Sequence, residues 1–95
     1  MSRIRHIVLD VLKPHEPPVT DICSSIGDLE GVDGVNVTVM QVDKDVEGVK
    51  VTIKGENIDV GQVEKVIEDS GCAIHSIDKV SCGEEIVKDA PTPQD

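Results

Sequence analysis

Apolar and polar side chains alternate from the start of the chain. Ile7, Leu9 and Val11 fall on one face, and Ile4, Val8 and Leu12 fall on the other beside His6 and Asp10. A period of two predicts a strand from Ile4 to Leu12, and apolar residues on both faces predict one that is covered, at least in part, on both sides. Pro14 stops it. Lys13 to Pro18 is a Pro-rich connection, and Pro18 suits the first turn of a helix, where a missing N–H costs nothing. From Val19 to Leu29 the period changes. Val19, Ile22, Cys23, Ile26 and Leu29 form one helical stripe, which Gly31 ends. Val35, Val37 and Val39 then alternate with Asn36, Thr38 and Met40, giving a half-buried strand to about Val42. Asp43 to Gly48 is a polar turn, after which Val49, Val51 and Ile53 alternate with Lys50, Thr52 and Lys54. Two alternating runs about a short Gly-containing turn make a hairpin.

Gly55-Glu56-Asn57 breaks the alternation. Asp59 reads as an N-cap with Gln62 three residues later, and Ile58 and Val63 stand where a hydrophobic staple places them. Val60, Val63, Val66 and Ile67 form the buried stripe of this second helix, and Gly71 is its stop. The last strand runs from Cys72 to Cys82. Its apolar residues Ile74, Ile77 and Val80 do not alternate strictly, which predicts a bulge near Ser76. The order is therefore βαββαβ. It predicts an α+β ferredoxin-like sandwich, a four-stranded antiparallel sheet with two helices on one face. Residues 1–83 make this domain. Residues 84–95 are acidic, contain Pro91 and Pro93, and read as a frayed C-terminal tail.

Composition adds three constraints. The chain has 95 residues and no Phe, Tyr or Trp, so its core is built from aliphatic side chains alone. A domain of this size buries only roughly 60–65% of the surface its unfolded chain exposes, and self-association is a natural way to bury more. The net charge is −10. Nucleic acid and anionic membrane surfaces are disfavoured partners, because both are held chiefly by Lys and Arg. Finally, Cys23, Cys72 and Cys82 are odd in number and widely spaced. They indicate neither a disulfide framework nor a zinc site. Without a signal-like run or ~20 consecutive apolar residues, the chain reads as cytoplasmic.

Several segments together resemble a known family. They are Leu9 to Pro14 with His15-Glu16-Pro17, Gly31 to Val37, Val42-Asp43, and above all Ile74-His75-Ser76-Ile77-Asp78-Lys79-Val80. The chain is similar, over nearly its whole length except the last dozen residues, to an archaeal family catalogued as domain of unknown function 211. The resemblance implies an archaeal cytoplasmic protein with a ferredoxin-like fold and a multi-subunit assembly. It brings no established activity.

Two constellations carry candidate chemistry. The turn Asp43-Lys44-Asp45-Val46-Glu47-Gly48 reproduces the first half of a calcium loop, with oxygens at its first, third and fifth positions and Gly at the sixth. Lys54 stands where an EF-hand has its bidentate Glu, and strands flank the loop, so it is not an EF-hand. What remains is a candidate calcium or magnesium site of Asp43, Asp45 and Glu47, completed by a neighbouring subunit. The plainer alternative is an acidic, solvated hairpin turn. The second constellation is a polar site of His6, Asp10, His75 and Asp78 on neighbouring strands. An odd spacing places His75 and Asp78 on opposite faces of a regular strand, and only a bulge at Ser76 brings them together. The alternative here is a polar network or subunit contact that fixes register. Cys23 reads as core, and Cys72 and Cys82 read as thiols open to solvent with no sequence-adjacent base. His15 and Glu16 read as a turn. These features lead to a non-enzymatic binding or regulatory module that forms a homo-oligomer and takes up a divalent cation or small ligand. The alternative is an enzyme, or an accessory subunit of one, using His75 and Asp78 as an acid–base pair.

Overall fold

The alternation at the start of the chain folds as expected into β1 (Ile4–Pro14), in a computed structural model that describes residues 2–88. Ile7, Leu9 and Val11 are at most 1% exposed on its inward face. Then follow α1 (Val19–Gly27), β2 (Val32–Val42), β3 (Val46–Gly55), α2 (Val60–Asp69) and β4 (Ala73–Cys82). All pairings are antiparallel, and the sheet order is β2-β3-β1-β4. The chain is thus an α+β ferredoxin-like domain. α1 packs on β2, α2 packs on β4, and the helices touch each other. Between helices and sheet lies one aliphatic core. Ile22 and Ile26 of α1 and Val63 and Ile67 of α2 meet Ile7, Leu9 and Val11 of β1 and Val49, Val51 and Ile53 of β3. Among the described residues no helix lies on the opposite face of the sheet.

Helix ends follow local chemistry. Pro18 precedes α1 in the N-cap position with extended backbone, one residue earlier than a first-turn proline. Asp59 caps α2, its carboxylate accepting from the Gln62 N–H at 3.3 Å. At the C-terminus of α2, Gly71 has φ +85, its N–H donates to the Glu68 carbonyl, and the Cys72 N–H donates to the Ile67 carbonyl. This paired closure requires the left-handed backbone that glycine adopts without penalty. It also turns Cys72 inward. Cys72 is 6% exposed, so the reading of Cys72 as a solvent-accessible thiol is corrected. Burial pushes its pKa up, against a weaker opposing pull from Lys13. Cys82 is exposed, and half-buried Cys23 donates through Sγ to the Val35 carbonyl at 3.7 Å.

Gly31 and Gly55 meet where the end of β3 passes the start of β2. A Cβ on Gly55 would overlap the Gly31 carbonyl oxygen, and one on Gly31, at φ +88, would overlap the Asn57 carbonyl. That carbonyl of Gly31 accepts from the Glu56 N–H at 3.1 Å. Beyond β4, the Gly83 N–H donates to the Arg3 carbonyl, and Arg5 Nη1 donates to the Gly83 and Glu84 carbonyls. These bonds turn residues 84–88 back toward the sheet. The remainder of the expected C-terminal tail, residues 89–95, lies outside the described residues. No helix among the described residues is long and apolar enough to cross a membrane.

Candidate functional site

Strand register places the candidate side chains row by row on the helix-free face. His6 stands between Lys54 of β3 and Ser81 of β4, and Val8 stands between Thr52 and Lys79. Asp10 comes next, between Lys50 and Ser76, and Leu12 follows, between Gly48 and Ala73. Val8 is 9% exposed despite having no helix above it. The face therefore opens on long polar side chains around a short apolar centre.

β4 departs from regular pairing on both sides of Ser76. Between the pairs Val8–Lys79 and Leu9–Ile77, Asp78 is the additional residue, and between Asp10–Ser76 and Val11–Ile74 it is His75. Two irregularities restore the phase that one would have shifted. As a result His75 and Asp78 border the same open groove, of about 400 Å³, together with Asp10, Lys50, Leu12 and Met40. His75 and Asp78 are both exposed. Asp78 accepts from the Ser76 hydroxyl at 2.7 Å, so its carboxylate is oriented by its own strand and not by His75. His6 is not part of this groove. It borders a second concavity with Lys54, Lys79, Ile86, Val87 and Lys88.

At the other end of β1 the hairpin carboxylate is engaged. Lys13 is 1% exposed. It is directly opposite Glu47 in the β1–β3 ladder, and its Nζ lies 3.1 Å from Glu47 Oε1. The same ammonium donates to the carbonyls of Pro14 (2.7 Å), His15 (3.3 Å) and Pro17 (2.7 Å). The other oxygen of Glu47 lies 3.0 Å from His15 Nδ1, and His15 Nε2 lies 2.7 Å from the Lys44 carbonyl. Acceptors on both ring nitrogens favour the doubly protonated imidazolium. The hydrogen bond to Glu47, then that to the Lys44 carbonyl, raises the His15 pKa above 6.5. The same bond from His15, then that from Lys13, lowers the pKa of Glu47 below 4.5. Lys13, Glu47 and His15 thus clasp the β1–α1 loop onto the β2–β3 turn.

The clasp changes what the hairpin offers a cation. Both oxygens of Glu47 already accept hydrogen bonds, which leaves Asp43 and Asp45 as the carboxylates of the calcium-like half-loop. Among the described residues no three His, Cys, Asp or Glu side chains are grouped closely enough to hold a metal ion. Lys13 was legible in one respect: it follows Ile7, Leu9 and Val11 on the inward parity of β1. A lysine in a core-facing position signals a buried ion pair. A further depression of about 580 Å³ between the α1–β2 connection and the start of α2 is bordered by Glu30, Asp59 and Gln62. Among the described residues no cationic side chain borders it.

The sequence matches the family DUF211, described as an uncharacterized ArCR, over residues 5–95. It is also 50% identical over 95 residues to the uncharacterized protein MJ0319 of Methanocaldococcus jannaschii, covering 100% of this chain and 98% of that relative.

Proposed function

The chain belongs to the DUF211 family, and on that footing we propose that it is a small non-enzymatic binding module that works as a homo-oligomer assembled edge to edge. The observation that carries this reading is the state of the two outer strands. β2 and β4 lie at opposite ends of the sheet, and an outer strand presents a row of unpaired backbone N–H and C=O groups. Both strands also expose large apolar side chains: Val39 (43%), Met40 (66%) and Val42 (64%) on β2, and Ile77 (48%) and Val80 (47%) on β4. Proteins that keep such edges apart place Lys or Pro on them. β2 has neither along its whole length.

The two edges differ in sequence, so a contact of β2 with the β4 of the next copy is head-to-tail. Such contacts close into a ring when the rotation per subunit permits. A divalent cation, calcium or magnesium, enters this reading between copies, with Asp43 and Asp45 supplying oxygens from one and the remaining oxygens coming from the next. Native mass spectrometry before and after chelator treatment tests both parts. A single subunit number above one is expected, with cation adducts in fixed ratio to subunits that chelation removes. A monomer would overturn the assembly, and an oligomer that never carries cations would confine the reading to assembly alone.

A further inference from the structure

The basic residues of this acidic chain are distributed unevenly between its two layers. On the helix side, Asp21, Asp28, Glu30, Asp59, Glu64, Glu68 and Asp69 face a single lysine, Lys65, which is paired with Asp69 at 3.4 Å. Near the sheet's ends, Arg3 and Arg5 pair with Glu56, Arg3 also pairs with Glu84, and Lys13 pairs with Glu47. The helix-free face carries lysines as well. Lys50, Lys54 and Lys79 stand on it in successive rows, and Lys88 approaches it from the returning C-terminal segment. Lys54 and Lys88 make no ion pair among the described residues, in a chain where 19 carboxylates are present for nine Lys and Arg.

We propose that the concavity bordered by His6, Lys54, Lys79 and Lys88 binds a small phosphate monoester. The geometry follows from the register. His6 lies on the inner strand β1, Lys54 is directly opposite it on β3, and Lys79 is one row further along on β4. Strands two apart in a sheet are about 10 Å apart, a span that two lysine side chains close from either side over the imidazole between them. Among the described residues no carboxylate borders the concavity, whose volume is about 330 Å³. The ammonium groups of Lys54 and Lys88 and the ring N–H of His6 match the three terminal oxygens and double charge of a monoester. A single carboxylate would leave this cluster with excess positive charge. Ile86 and Val87 form the remaining wall, which suits the organic part of an ester.

This site goes beyond the assembly reading and rests on different residues from the exposed apolar ones of the sheet edges. Isothermal titration calorimetry of the intact protein at fixed ionic strength tests it, with inorganic phosphate and then butyl phosphate as probes and chloride as the control anion. Saturable phosphate binding is expected, tighter for butyl phosphate. The double variant Lys54→Ala, Lys88→Ala should weaken it at least roughly tenfold, since each charged hydrogen bond contributes about that factor. Lys65→Ala, on the helix layer, should leave it unchanged. Circular dichroism of the variants checks that both retain the fold. Absence of saturable binding, an equal response to chloride, or equal loss in the Lys65 variant would overturn the site. Equal affinity for the two phosphates would overturn the monoester assignment.

Discussion

Lys13 follows Ile7, Leu9 and Val11 on the inward face of β1, and its ammonium is neutralised by Glu47 and held by three loop carbonyls. A buried cation is tolerated only when paired and hydrogen-bonded, and this one ties its loop to the hairpin. His15 completes the arrangement from the solvent side. Its pKa is raised on folding, so its contribution to stability is fully present below the unfolded value of about 6.5 and is lost as pH rises through the folded value. Glu47 works in the other direction. Its lowered pKa gives a contribution present above about 4.5 that is lost as pH falls through the folded value. The clasp should therefore be strongest between those limits. The denaturant midpoint is expected to fall between pH 6 and pH 9, and His15→Gln should remove that component of the fall. An identical pH profile in the variant would show that His15 contributes nothing. The parity of Lys13 was visible in the sequence, but its partners were not. Glu47 and His15 are brought to it by the β1–β3 register and by the path of the loop, which the alternation pattern does not specify.

Among the elements, the close passage of β3 past the α1–β2 connection sets how the two halves of the fold join. Gly55 and Gly31 permit it because neither has a Cβ to obstruct the other segment. Gly55→Ala should cost roughly 2 kcal/mol or more in unfolding free energy, as backbone must move to admit the methyl. Gly34→Ala, on β2 with open space around it, should change stability by less than about 0.5 kcal/mol. Urea denaturation followed by circular dichroism measures both, and equal effects would show that the passage is not tight. Both glycines appeared in the sequence only as interruptions of a period. Their contact depends on segments over twenty residues apart. β4 shows the same division. The broken alternation of Ile74, Ile77 and Val80 signals an irregularity, whereas the pairing that separates it into extra residues at His75 and Asp78 is a property of the β1–β4 ladder.

For the whole molecule, the sheet order leaves two unlike edges and one helix-free face, and in the proposed assembly the edges make the contacts. A head-to-tail contact makes a distinctive prediction. Val42→Lys on β2 and Ile77→Lys on β4 should each give monomers, since each removes one half of every contact. Mixed in equal amounts, they should form a heterodimer, because the intact β4 of the first meets the intact β2 of the second. Native mass spectrometry resolves the species, and the absence of a heterodimer from two folded variants would rule out this head-to-tail contact. The segregation of charge belongs to the same scale. The chain's net charge of −10 describes its helix layer well and its helix-free face poorly. Net charge sums over positions, whereas a ligand meets only the residues gathered on one surface.

The sequence by itself determined the six elements, their order and the inward residues of nearly every one. Those properties rest on side-chain period, caps and breakers, which act over a few neighbouring positions. It also brought out Asp43, Asp45 and Glu47 by their spacing, and His6, Asp10, His75 and Asp78 by their placement on strands expected to be neighbours. Only the tertiary structure decided how these residues associate. It engages Glu47 with Lys13 and His15, places His6 among lysines, and sets His75 and Asp78 along one groove with Asp10. It also buries Cys72 at the turn out of α2. Each of these depends on pairing and packing between distant segments, where the position of one residue is fixed by the register of another strand.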